Sequence, residues 1–240
     1  MKALIAGLSL LLLGGCATNG QTPWGALTAG GSCPKPGSEQ ELALNLADEM
    51  ANDGKLHASL ANLQNLPSNL PQVRLRQAKA YRLLGRSEAE PLYRSLIGTC
   101  MAAEGEHGLG QLASAKGDNG LAMAHLQRAA RLAPTDEKIR NDLGVVYLNQ
   151  LRMEDARFEF MTAMELKQSD PLAAINLVTL LIYQDNWKQA AQVVNQIGLS
   201  PEQVTEAQAR AEKLKGSSTP VAKAKDQIAT VSDAPGTPRN

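Results

Sequence analysis

From Ser38 to Lys215 apolar residues recur three and four positions apart, the spacing that lays a single stripe along an α-helix. Helix starts punctuate the pattern. Ser38 with Glu41 and Ser87 with Glu90 read as capping boxes, Asp170 before Pro171 sets a proline at a first helical position, and Ser200-Pro201 with Gln203 combines both devices. Beyond Ser200, Val204, Ala207, Ala211 and Leu214 share one face of a last helix and charges take the rest. Two stretches break the pattern. Residues 16–37 are rich in Gly and Pro and read as a flexible tether, and residues 216–240 hold too little apolar area to order themselves and read as a disordered tail.

The stripe also repeats. Adding 34 to Leu109-Gly110, Ala122, Leu126 and Ala129 gives Leu143-Gly144, Ala156, Phe160 and Ala163, and adding 34 again gives Leu177, Ala190 and Val194. Gly117 has Leu151 as its counterpart, and Tyr147 supplies an aromatic in the second of these units. Upstream, Leu46-Ala47, Met50, Gly54, Leu63, Leu66 and Pro71 fit one unit, and Tyr81, Gly85, Ala89 and Tyr93 fit another whose turn is one residue short. A large-small pair on one helix and Ala-large-Ala on the next resemble the tetratricopeptide repeat, in which small side chains let two helices approach and interlock. The resemblance implies an all-α fold, a right-handed superhelix of about five helix pairs between 39 and 199. The helix over 200–215 would close it, so that 38–215 is the repeat domain.

The amino terminus has another pattern. Lys2, the apolar run Leu4 to Leu13 and the small residues Gly14 and Gly15 form a signal peptide over 1–15, too short an apolar run to span a bilayer. Leu13-Gly14-Gly15-Cys16 resembles the lipobox of bacterial lipoproteins, which implies cleavage before Cys16 and acylation of its thiol and amine. Ala17, where an Asp would favour retention in the inner membrane of many bacteria, leans toward an outer-membrane anchor facing the periplasm. Cys33 and Cys100 then remain as an even pair in a compartment that permits disulfides, either bridged or as two free thiols.

Composition narrows the function. Aromatic residues are 3% of the chain and hydrophobic residues 43%, so Leu and Ala must build the core, as in close-packed helices. Lys plus Arg number 24 and so do Asp plus Glu, so no net field draws nucleic acid or anionic lipid. Of the three histidines, His57, His107 and His125, none falls in a metal-binding pattern, and His125 reads as a surface or partly packed side chain. Gly105-Glu106-His107-Gly108-Leu109-Gly110 lacks the order of a phosphate loop, and Gly105 and Gly108 read as a helix start or interruption. The expectation is a binding protein with no catalytic residues, no cofactor and no metal.

In this repeat family the first helix of each pair lines a concave groove. Its groove positions map onto His107, Gln111, Asn141, Val145, Leu148, Asn149, Ile175, Thr179, Ile182 and Tyr183. The apolar ones would take an amphipathic helix or an apolar segment, unless the helix after Ser200 or the tail fills the groove. The Lys and Asn pattern that clamps a free carboxylate is not recognisable there. The lipobox, residues 103–215 with Ala156-Arg157-Phe158-Glu159-Phe160, and the Leu199-Ser200-Pro201 helix together resemble the TadD-like lipoproteins of tight-adherence (Flp) pilus systems. That resemblance implies a pilotin or assembly factor whose partner is a secretin or another pilus-assembly subunit. The alternative is an adaptor for peptidoglycan hydrolases or envelope proteolysis.

Overall fold

The computed structural model describes residues 32–232, of which 217–232 are described as helix backbone; Cys16, most of the tether and residues 233–240 lie outside them. Eleven helices and no strand make up the described residues. They form five pairs: α1 (Ser38–Asn52) with α2 (Leu56–Leu63), α3 (Pro71–Leu83) with α4 (Ala89–Arg94), α5 (Ala102–Ala115) with α6 (Asn119–Leu132), α7 (Glu137–Asn149) with α8 (Met153–Leu166), and α9 (Leu172–Tyr183) with α10 (Trp187–Ile197). A long α11 (Pro201–Ser232) follows.

Each pair turns on one left-handed residue. Gly54, Gly85 and Gly117 supply it in the first three pairs, and Leu151 (φ 58) and Asp185 (φ 57) in the last two. The backbone geometry is therefore kept where the residue preferred for it is not. Gly54 to Gly85 is 31 positions and Gly85 to Gly117 is 32, against 34 for each later step, so the first two repeats are genuine but shortened. The shortening in the second pair falls on α4, only six residues long. Within and between pairs the helices close on small residues. A Cβ on Gly110 would lie 2.6 Å from Cγ of Leu126, and one on Gly108 would sit inside the Tyr93 ring. A Cβ on Gly105 would likewise lie 2.8 Å from the Tyr93 carbonyl oxygen. Gly105 and Gly108 thus do not start or interrupt a helix; they lie within α5 and admit α4 against it.

Second helices pack on the first helix of the following pair, α6 on α7 and α8 on α9, so that the odd-numbered helices form one wall. The apolar interior is correspondingly segmented along the stack: one cluster around Leu44, Leu63 and Val73, a second around Leu75, Tyr93 and Leu96, and a larger third running from Ala113 to Ala211.

The stack ends in a closing helix, as the sequence reading expected, and that helix lies on α9, the alternative in which it fills the groove. Val178 stands where Gly144 and Gly110 stand one and two repeats earlier, so α10 cannot close on α9 as α6 closes on α5. Helix α11 covers the surface left over: it packs on α9, with Ala207 and Ala211 fully buried, and not on α10 as a further repeat would. Its backbone also continues past Lys215 to Ser232, where the sequence reading began a disordered tail. Gly216, Ser217, Ser218, Thr219 and Pro220 argue for an end there, but Ala222, Lys223, Ala224, Lys225 and Gln227 after them are good helix formers.

Some starts use partners other than those expected. At α1 the Gly37 amide donates to Gln40 Oε1 at 2.9 Å, in place of a Ser38–Glu41 box, and α4 has no side-chain cap from Ser87. At α11 the expected box forms, Ser200 N to Gln203 Oε1 at 2.8 Å and Gln203 N to Ser200 Oγ at 3.3 Å.

Cys33 and Cys100 are joined as a disulfide, with Cα atoms 5.2 Å apart. The bridge ties the segment before α1 to the turn before α5, and Gln72 Nε2 secures the same segment through the Pro34 carbonyl at 2.8 Å. Any tether from Cys16 therefore leaves the fold at Cys33.

Candidate functional site

The wall of odd-numbered helices is the face a partner would meet, and polar side chains cross it helix by helix. Asp142 on α7 is the centre. Its Oδ2 accepts from His107 Nε2 and Gln111 Nε2 on α5, each at 2.7 Å, and its Oδ1 accepts from Asn141 Nδ2 at 3.3 Å. Asn141 Oδ1 in turn accepts from Asn176 Nδ2 on α9 at 2.7 Å, and Asn176 Oδ1 accepts from Arg210 on α11 at 2.6 Å. Burial pushes the Asp142 carboxyl up, but the hydrogen bond and charge of His107, with the amides of Gln111 and Asn141, outweigh it and hold the group below its usual range.

Two hollows flank the Gln111–Asp142 contact. One, about 300 Å³, is bounded by Arg82, Ser114 and Val145; the other, about 230 Å³, by Lys138, Asn141, Lys167 and Leu172. His107, Gln111 and Val145 are half-buried and Asn149 is exposed, so these four of the expected groove residues line an open stretch over α5 and α7. Tyr183 is half-buried against the core beside α11.

Four expected groove residues are not available. Leu148 is 1% exposed because its side chain turns into the core. Ile175, Thr179 and Ile182 are 6%, 0% and 4% exposed because the last helix lies on α9, and Thr179 spends its hydroxyl on the Ile175 carbonyl at 2.9 Å. Asn141, 5% exposed, belongs to the polar chain and not to an open surface. The C-terminal end of the groove is thus occupied by the protein's own helix.

Sequence reasoning missed Asp142, Asn176 and Arg210. A lone Asn in the apolar run of α9, 35 positions after Asn141, is the signal that could have found the link, because an amide buried among Leu and Val needs a partner. It also misplaced His125, which is 8% exposed: Nδ1 lies 2.6 Å from Glu106 Oε2, and Arg128 Nε donates to Glu106 Oε1 at 2.9 Å. One repeat on, Arg140 and Glu159 hold the same positions at 3.0 Å, and one further Ala174 and Val193 replace them. Where that polar clamp is missing, a cleft of about 510 Å³ opens between α8, α9 and α10, lined by Met161, Met164, Leu177 and Ile197 together with Glu165, Lys167 and Asp170.

No group of three or more His, Cys, Asp or Glu among the described residues could hold a metal ion, and no helix among them is long and apolar enough to cross a membrane.

Paired helices stacked into a walled solenoid define a repeat scaffold that presents a surface. The chain is 42% identical over 217 residues to the TPR repeat-containing protein PA4299 of Pseudomonas aeruginosa, an alignment covering 88% of this chain and 85% of that protein. It belongs to the TPR repeat-containing proteins. No family model matches it. Among solved structures it is similar to the pilF protein of Pseudomonas aeruginosa, with TM-score 0.59 and 17% identity over 80% of this chain and 90% of that one. It is also similar to TTC0263, a thermophilic TPR protein of Thermus thermophilus, with TM-score 0.54 and 18% identity over 72% and 97%. These likenesses show the fold. A fold of this family is a protein-interaction module, typically without catalysis.

Proposed function

We propose that this chain is a lipoprotein held at the outer membrane through acylated Cys16, facing the periplasm, and that it binds a secretin or another assembly subunit of a tight-adherence (Flp) pilus. Acting as a pilotin or assembly factor, it brings that cargo to the membrane and so supports adherence and biofilm formation. The observation that carries the reading is the open stretch of groove over α5 and α7: His107, Gln111, Val145 and Asn149 remain accessible there, whereas α11 closes the end at α9. The pilus assignment is supported by the resemblance of the lipobox and of residues 103–215 to TadD-like lipoproteins. Long acyl chains would make the anchor nearly irreversible, at ~0.8 kcal/mol for each buried methylene.

Two measurements test it. In the Cys16→Ala variant the secretin should be monomeric or misplaced, and normal secretin multimers in that strain would sink the pilotin role. Crosslinked capture from envelopes, followed by mass spectrometry, should return pilus-assembly proteins with the wild type and lose them with Val145→Glu. Recovery of peptidoglycan hydrolases in their place would assign the adaptor role instead.

A further inference from the structure

We infer that α11 is a latch coupled to the open stretch of the groove: its docking on α9 is felt at His107 and Gln111, through the hydrogen-bond chain that joins Arg210 to Asp142. This takes the open stretch as the partner site and adds a means of regulating it. The chain runs in one direction. Arg210 Nη1 donates to Asn176 Oδ1, Asn176 Nδ2 to Asn141 Oδ1 and Asn141 Nδ2 to Asp142 Oδ1, at 2.6, 2.7 and 3.3 Å. A guanidinium therefore stands at one end and a carboxylate at the other, with two amides aligned between them. Turning either amide over would oppose donor to donor on one side and acceptor to acceptor on the other. Hydrogen bonds aligned in this way polarise one another, so the loss of one weakens the next.

Each end answers to a different helix. Arg210 is half-buried, has no carboxylate partner among the described residues, and spends its one hydrogen bond on Asn176. The other contacts of α11 are small: Ala207 and Ala211 are buried, Val204 and Leu214 half-buried, and Lys215 reaches Asp185. At the far end Asp142 holds His107 and Gln111 of α5. Both amides between are buried, so neither has water to take over a lost bond while α11 stays docked. Release of α11 would take the guanidinium from Asn176, free both amides to turn, and leave Asp142 with its α5 donors alone. By the same linkage, a partner that draws His107 or Gln111 away from Asp142 would loosen α11.

Hydrogen exchange of the full chain tests this without a partner, so a failure leaves the partner site itself standing. The amides of residues 204–215 are followed in the wild type, Asp142→Asn, Arg210→Met and the double variant. Asp142→Asn, whose hydrogen-bond partners lie on α5 and α7, should speed exchange in α11 by about tenfold, and Arg210→Met should do so directly. The double variant should exchange within about twofold of Arg210→Met, because the chain is already cut. A general loss of stability would instead act in both backgrounds and multiply the two effects. That outcome overturns the proposal, as does unchanged α11 exchange in Asp142→Asn. In the reverse direction, Arg210→Met should move the side-chain amide resonance of Gln111, and Arg210→Lys, which keeps a donor for Asn176, should return it toward the wild-type position. A Gln111 resonance unmoved in Arg210→Met overturns the proposal as well.

Discussion

A Cβ on Gly144 would lie 2.6 Å from Cε1 of Phe160, so the α7–α8 pair closes with an aromatic ring resting on helix backbone. Phe160 is fully buried and has no direction in which to retreat. Gly144→Ala should therefore cost about 1–3 kcal/mol, the usual toll of overpacking a close-packed core. Gly120→Ala is the control: at the start of α6 a Cβ would meet only Asp118 Oδ1, at 3.6 Å, and the variant should gain about 0.5–1 kcal/mol. Urea denaturation of the three proteins checks the contrast. Equal midpoints for Gly144→Ala and wild type would remove the close contact as the determinant of pairing.

The contrast also explains what the sequence could and could not tell. Pairing was legible because Gly110, Gly144, Ala122 and Ala156 are small for a local reason that recurs at a fixed period. The closure of the groove was legible only as an alternative, because the mapping by period assumes that α9 meets α10 as α7 meets α8. Val178 violates that assumption with an isopropyl group where Gly144 has no side chain, and three expected groove residues, Ile175, Thr179 and Ile182, become core under α11. Asp142 was hidden for a different reason: its role depends on donors from α5, a helix whose register against α7 no single sequence displays. The Cys33–Cys100 pairing needed proximity in space, which counting cysteines does not supply.

Docking of α11 should depend on its two smallest contacts. Ala207 and Ala211 are 0% exposed, so Ala211→Glu would bury a carboxylate with no partner at the α9 surface. The expected outcome is release of α11, seen as faster proteolysis after Pro201, loss of hydrogen-exchange protection confined to α9–α11, and binding of an apolar dye at the uncovered Ile175 and Ile182. Unchanged protection of α9 would show that α11 does not shield it.

Reduction offers a second handle on stability. In the chain-entropy account a bridge between positions 67 apart restrains the unfolded chain by about 4 kcal/mol, with native-state effects reducing the figure in practice. Dithiothreitol, or the double Ser variant at Cys33 and Cys100, should lower the unfolding free energy by about 2–4 kcal/mol. The first protection lost should be that of the segment held by Gln72 and Pro34. An identical melting curve with and without reductant would mean that the bridge is absent from the folded protein in solution.

Asp142 gives the polar chain a signature in pH. Its carboxyl is held below the ordinary value of 3.8, so folding favours the ionised form. The sign follows: the contribution is fully present above the unfolded value and is lost as pH falls through the folded one. Asp142→Asn keeps the size of the side chain but replaces one accepting oxygen with a donating NH2, so that His107, Gln111 and Asn141 face one oxygen in place of two. It should cost about 1–3 kcal/mol at neutral pH. The gap between wild type and variant should narrow as pH is lowered toward ~3, because the wild type loses there what the variant never had. Urea midpoints measured for both proteins across that range decide it: a gap that stays constant would show that Asp142 does not stabilise the fold through its charge.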